Sequence, residues 1–343
     1  MGPEAMFSPI RVFLQWVGLA LTAMAIAGCR TAGTSSTVLT EKKVLVYETN
    51  NVVRIESEGK LLADYQFRGV SRPFLYPLYG VDDVHITRRW PQEEYPDEDH
   101  DHPHHHGAWW AHGNANGVDF WSEEPKAGHT VHQYFVEKSS GKGSGTVATR
   151  NRWVGPDGTV VAEDERRYTF FAPTADARVF DFSVTVFPVG KDLEFGDTKE
   201  GTFAIRIAES MRLKLKDGKK GSGHIVMPEG PQDDATWGKR SLWCDYSGIV
   251  EGKAEGIAIF EHPANPRHPT WWHVRDYGLF AANPFGVHDF EKKPAGTGNL
   301  KVPLGRNITF RYRVVLHRGN ADEGRISQKY AEYLTEIGKG ITK

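Results

Sequence analysis

Residues 179–188 read VFDFSVTVFP. Phe180, Phe182, Val184 and Val186 fall on one face at period two, with Asp181, Ser183 and Thr185 on the other. That alternation predicts a strand with one buried side. Residues 308–317 repeat it, with Phe310, Tyr312, Val314 and Leu316 on one side. Working outward, VLVYETN from Val44, VVRIES from Val52 and LLADYQF from Leu61 are strands separated by Asn50-Asn51 and Glu58-Gly59 turns. Residues 130–137, 145–153, 160–171, 257–261, 271–275 and 278–282 continue the pattern. FLYPLY at 74–79 carries Pro77, which predicts an edge or crossing strand. Residues 202–215 admit a helix, but strands at 203–207 and 211–215 fit better. One helix is expected, 322–338, capped by Asp322, striped by Ile326, Tyr330, Tyr333 and Ile337, and ended by Gly338. These elements predict an all-β chain with a short C-terminal helix.

The chain has 343 residues, 39% apolar and 12% aromatic, enough for a sizeable core. Net charge is −2, with 42 basic and 44 acidic residues and no basic block, so nucleic acid is not an expected partner.

Arg11 precedes an apolar run, Val12 to Ala27, that is too short to span a bilayer. It ends in Ile26-Ala27-Gly28-Cys29, which resembles the lipobox of bacterial lipoproteins. Residues 1–28 are therefore expected to be a signal peptide and Cys29 the lipidated residue. Residues 29–43 form a tether and 44–343 a single domain. The expected location is the bacterial cell envelope, with membrane contact through the lipid anchor only. The one other cysteine, Cys244 in SLWCDYSG, reads as a buried structural thiol.

The chemistry concentrates in residues 99–123, DHDHPHHHGAWWAHGNANGVDFWSE, with six histidines and three tryptophans. Histidine moves protons near neutrality and is the commonest metal ligand. His100 and His102 stand in an acidic loop and read as solvated. His104, His105 and His112, beside Trp109 and Trp110, are the candidate acids, and any divalent metal would be sought on the same three. Linear density does not establish convergence, so acid–base use comes first, with no cofactor expected. Trp109 and Trp110, with Trp272 from farther along the chain, are the candidate sugar platform, and Asn116 and Asp119 are candidate substrate contacts.

A second group, FGDTKEGTFAIR at 195–206, supplies Asp197 and Glu200 as candidate bases, with Lys199 and Arg206 as binding groups. A third, around EHPANPR and WWHVR, supplies His262, Trp272, His273 and Arg275 as a surface able to stack on a sugar ring and grip its hydroxyls.

Together these blocks resemble a bacterial secreted family of unknown function often labelled "methane oxygenase PmoA" or PmoA-like. The matching runs are YPLYG (76–80), HPHHHGAWWAHGNANGVDFW (102–121), FGDTKEGTFAIRIA (195–208), WGKRSLWCDYSG (237–248), GIAIFEHPANPRHPTWWHVRDYGLFAANPFG (256–286) and YRVVLHRG (312–319). His106 departs from the arginine common there. The particulate methane monooxygenase subunit of that name crosses the membrane several times. This chain has no apolar stretch of about 20 residues beyond its leader, so the label does not carry an activity over. The resemblance implies a large two-sheet β-sandwich similar to galactose-mutarotase-like proteins, in which histidines and a carboxylate move protons on a sugar. The leading expectation is a carbohydrate-active enzyme of epimerase, lyase or hydrolase type. The alternatives are a non-catalytic glycan-binding lipoprotein and a metal-dependent, oxidative enzyme.

Overall fold

Clean alternation over ten residues needs a sheet on each side of the strand and a second sheet to cover it, and both are present. The structure, a computed structural model, describes residues 42–228 and 230–341. The leader, Cys29 and most of the tether lie outside those residues. The strand Ala177–Pro188 is buried at every second position. It pairs antiparallel with Ile308–Arg318, setting Phe180 opposite Val314, Phe182 opposite Tyr312 and Val184 opposite Phe310.

These two strands are central in an eight-stranded sheet. Its order is His224–Val226, Trp243–Val250, Lys253–Glu261, Ile308–Arg318, Ala177–Pro188, Val160–Phe171, Ser144–Val154 and His129–Ser139. A nine-stranded sheet faces it, ordered Trp271–Val274, Leu279–Asn283, Gly201–Arg206, Ala108–His112, Phe74–Leu78, Lys60–Gln66, Val52–Ser57, Lys43–Glu48 and Gly141–Lys142. The fold is a two-sheet β-sandwich. Its central seam is aromatic: Phe182 of the eight-stranded sheet stacks on Phe203 of the other at 4.6 Å, and Trp110 meets Phe310 at 5.0 Å. Each such ring contributes about 1.5–3 kcal/mol by leaving water.

Three local expectations change. The strand Phe74–Leu78 is interior, not an edge. It pairs with Ala108–His112 only through Phe74 and Leu75, so Pro77 lies beyond that ladder. On the other side the register slips, and the Gln66 side chain donates to the Tyr76 carbonyl at 2.7 Å. Residues 209–211 form a 3-10 turn instead of opening a strand at Met211.

The helix runs Ile326–Ile341 rather than 322–338. Asn320 Oδ1 accepts the Asp322 and Glu323 amides, Glu323 accepts the Asn320 amide, and Arg325 has φ 52°, which delays the first helical turn. Ile326, Tyr330 and Tyr333 pack on Trp243, Phe260 and Val315, on the outer face of the eight-stranded sheet. No helix among the described residues is long and apolar enough to cross a membrane.

Candidate active site

The strand Ala108–His112 is buried on both faces. Alternation sends Trp110 into the seam between the sheets. Trp109 goes to the outer face of the nine-stranded sheet, where it joins Phe74, Tyr76, Trp121 and Leu279. The histidine-rich loop folds back over that outer cluster. Its return into the strand depends on Gly107, which has φ 47° and whose added Cβ would lie 2.1 Å from the Leu75 carbonyl oxygen.

A column of rings results. Tyr277 stacks on His102 at 4.9 Å, His102 on His105 at 4.7 Å, and His105 on Trp109 at 5.1 Å.

A cleft of about 480 Å³ opens beside this column, lined by His102, His104, Asp119, Trp121, Ser122, Lys199, Glu200, His273, Arg275 and Tyr277. Six residues singled out from the sequence meet there: His104, Asp119, Lys199, Glu200, His273 and Arg275. Glu200 is carried in by the turn before Gly201–Arg206, where its backbone carbonyl accepts the Gly113 amide at 2.7 Å. Glu200 and Lys199 form an ion pair. Asp119 accepts the Trp121 and Ser122 amides at 2.7 and 3.1 Å and the Ser122 hydroxyl at 2.5 Å.

Burial sets the protonation of the imidazoles. His104 is pushed down to about 4, chiefly by desolvation and then by the Arg72 charge. His273, 2% exposed, is pushed down to about 3 by the same cause. Its Nδ1 hydrogen-bonds the Lys199 carbonyl at 2.7 Å, and its Nε2 is buried without a partner. Both rings are neutral at pH 7.

The remaining sequence candidates lie elsewhere. His105, 1% exposed, sits behind the cleft wall with Nδ1 at 3.2 Å from Arg206. Arg206 is fully buried and pairs with Asp101 at 2.6 Å. His112 is fully buried between Phe195 and Phe285, with Nε2 on the Gly196 carbonyl. Asp197 accepts the His288 and Gly298 amides and fastens loops. Asn116 holds a turn against residues 192–194. His262 packs near Tyr333, under the helix.

The aromatic platform expected of Trp109, Trp110 and Trp272 is corrected, since all three are fully buried and present no face to a ligand. Nor do His104, His105 and His112 form a shared ligand set. Among the described residues no group of three or more His, Cys, Asp or Glu has the arrangement to hold a metal.

Four lining residues were not singled out: His102, Trp121, Ser122 and Tyr277. His102 is the most consequential, because its Nδ1 is 2.8 Å from Asp101 Oδ2. Asp101 also takes Arg88 and Arg206, both fully buried. Burial works to raise the Asp101 carboxyl, but the His102 bond and the two guanidiniums hold it below its ordinary range. His102 Nε2 has no hydrogen-bond partner among the described residues.

Behind the cleft, Arg72, 1% exposed, donates to the His104 carbonyl at 3.0 Å, the Trp121 carbonyl at 2.7 Å and the Phe120 carbonyl at 3.2 Å. The D-H pair at 101–102 was the available signal for His102; nothing local pointed to Arg72 or Tyr277.

A larger cavity, about 760 Å³, lies between His85, Tyr95, Glu98, Glu209 and Leu215, and none of the sequence candidates lines it. Six of the residues read from the sequence line the smaller one.

Among solved structures, the chain is similar to the GalM/aldose epimerase homologue from C. elegans, at 8% identity and TM-score 0.31 over 81% of this chain and 100% of that one. It is also similar to galactose 1-epimerase from Lactobacillus acidophilus NCFM, at 7% identity and TM-score 0.33 over 82% and 100%. A variant of a glycoside hydrolase family 97 enzyme from Pseudoalteromonas sp. strain K8 matches at 12% identity and TM-score 0.34 over 82% of this chain, which spans 35% of that enzyme. No curated protein matches the chain in sequence. A family model, the family of unknown function DUF6807, matches residues 52–331, and the chain belongs to that family.

Proposed function

We propose, with membership of DUF6807 as the premise, that the cleft performs acid–base chemistry on a sugar. The observation that carries this reading is the pairing of His102, backed by Asp101 at 2.8 Å, with the Glu200 carboxylate in one cleft. A carboxylate behind one imidazole nitrogen fixes the tautomer and leaves the other free to take or give a proton. Glu200 supplies the second proton-handling group, and His104, neutral at pH 7, stands beside both as a further base. Lys199, Asp119 and Ser122 line the cleft with polar groups suited to hydroxyls, beside the half-buried Tyr277. Epimerases and lyases take a proton from the sugar, hydrolases take it from the attacking water, and all three deliver a proton from a second group, which the pair can supply.

The same proposal makes this a lipid-anchored envelope protein, a reading supported by the apolar run at 12–27 and the lipobox-like Ile26-Ala27-Gly28-Cys29. A Cys29→Ser variant is expected to lose metabolic labelling by palmitate; undiminished labelling would remove the anchor from the proposal.

The test of the cleft is time-resolved proton NMR of the purified protein with a panel of monosaccharides and short oligosaccharides. His102→Ala and Glu200→Gln are expected to lower turnover by about 100-fold or more while the protein stays folded. Undiminished turnover in both variants would overturn the acid–base roles. Saturable binding with no turnover in the unaltered protein would favour a glycan-binding lipoprotein instead.

A further inference from the structure

The cleft does not end at Arg275. That residue also lines a second cavity of about 330 Å³, together with Lys214, Asp234, Trp237, Val274 and Asp276. Trp237 lies edge-to-face with His273 at 6.3 Å, so the cavities share a wall as well as an arginine.

The charges around this junction are engaged, with one exception. Glu200 pairs with Lys199. Asp234 and Asp276 share Lys214 at 3.2 and 2.8 Å. Asp119 is occupied by two amides and a hydroxyl. His104 and His273 are neutral at pH 7. The Arg275 guanidinium makes no ion pair or hydrogen bond among the described residues; it is held over the Tyr277 ring at 5.3 Å. Its backbone closes the 275–279 turn, so the side chain's origin is fixed. A guanidinium set on an aromatic face with its N–H fork unengaged is preorganised for a planar or tetrahedral oxyanion.

We infer that the substrate is an anionic oligosaccharide of at least two sugar units, seated across both cavities, with a carboxylate or sulfate group on Arg275. This rests on the acid–base reading of the first cavity and adds the substrate class. One unit occupies the cavity with His102 and Glu200, and its neighbour lies against Trp237.

The probes are digalacturonate, a 6-O-sulfated galactobiose, neutral galactobiose and galacturonate monomer, titrated calorimetrically into the full chain and into Arg275→Ala, Trp237→Ala and Lys199→Ala. An acidic disaccharide is expected to bind more tightly than both the neutral disaccharide and the acidic monomer. Arg275→Ala is expected to weaken the acidic disaccharide by about 10- to 100-fold and the neutral one by a much smaller factor. Trp237→Ala is expected to weaken disaccharides and spare the monomer. Whether digalacturonate or the sulfated disaccharide shows the larger Arg275 effect identifies the anion as carboxylate or sulfate.

Equal binding of neutral and acidic disaccharides, insensitive to Arg275→Ala but lost in Lys199→Ala, would overturn the anionic class and leave the sugar reading standing. An acidic monomer that binds as tightly as the disaccharide would overturn the two-unit span. Absence of binding by any probe would overturn both this inference and the function it rests on.

Discussion

Asp101 Oδ2 stands 2.8 Å from His102 Nδ1, while Asp101 Oδ1 stands 2.6 Å from Arg206 Nη2. One carboxylate therefore serves two ends: it orients an imidazole at the cleft and neutralises guanidiniums under the loop. The two duties separate on mutation.

His102→Ala leaves Asp101 with Arg88 and Arg206. Because the His102 side chain is 40% exposed, its loss is expected to cost about 1 kcal/mol or less of stability. Asp101→Asn leaves two buried guanidiniums without their counter-charge, and a loss of about 3–5 kcal/mol is expected. Chemical denaturation of the two variants measures both. Equal losses would mean that Asp101 is not the neutralising group.

Arg72 is expected to hold the cleft together without touching a ligand. Arg72→Met removes the donors to His104, Trp121 and Phe120 and leaves two buried carbonyls and one half-buried carbonyl short of a partner, at about 1–3 kcal/mol for each buried one before relaxation. Amide hydrogen exchange is expected to rise in residues 102–106 and 119–123 while the seam strands at 177–188 and 308–318 stay protected. Unchanged exchange in both loops would rule this role out.

His317 and Asp245 make a fully buried pair, Nε2 to Oδ2 at 2.6 Å, with His317 Nδ1 also on the Arg318 carbonyl at 3.0 Å. Burial alone would lower the imidazole, but Asp245 outweighs it and raises it above its ordinary value. The folded state therefore binds this proton more tightly than the unfolded chain. The resulting stability is complete below about pH 6.5 and declines as pH rises through the folded-state value. Thermal denaturation from pH 6 to 9 is expected to show that decline, and His317→Gln to flatten it. A wild-type profile that rises over this range and matches the variant would remove the pair as its source.

Phe182→Ala opens the seam where Phe182 stacks on Phe203 and leans on Tyr168 at 4.8 Å. A loss of about 3–5 kcal/mol is expected in equilibrium unfolding. A loss below 1 kcal/mol would mean the two sheets close over the gap.

How far the chain could be read in advance depended on whether a residue's partners were near in sequence. Phe180, Phe182, Val184 and Val186 announced their sheet because alternation is a local property. Lys199 and Glu200 announced a site because they stand together.

The acidic neighbours of His102, EEYPDEDHD, point it to solvent, and 40% of its side chain does lie there. What brings it in is the pair of arginines, Arg88 and Arg206, that capture Asp101 from elsewhere in the chain. Trp109 and Trp110 were read together as one platform. Successive residues of a strand face opposite ways, so they serve different clusters, and both faces here are covered. Arg72 and Tyr277 act through carbonyls and ring faces more than a dozen residues away, which no local pattern encodes.

The Arg72 clasp has a consequence for how a ligand would be received. Two loops already joined by His106 and Glu123 at 2.7 Å are also tied to one buried guanidinium, so the ordering entropy of the cleft walls is lost during folding and not on encounter. Such a cleft meets its ligand already shaped. Selectivity then rests on fit against fixed walls more than on closure around the guest.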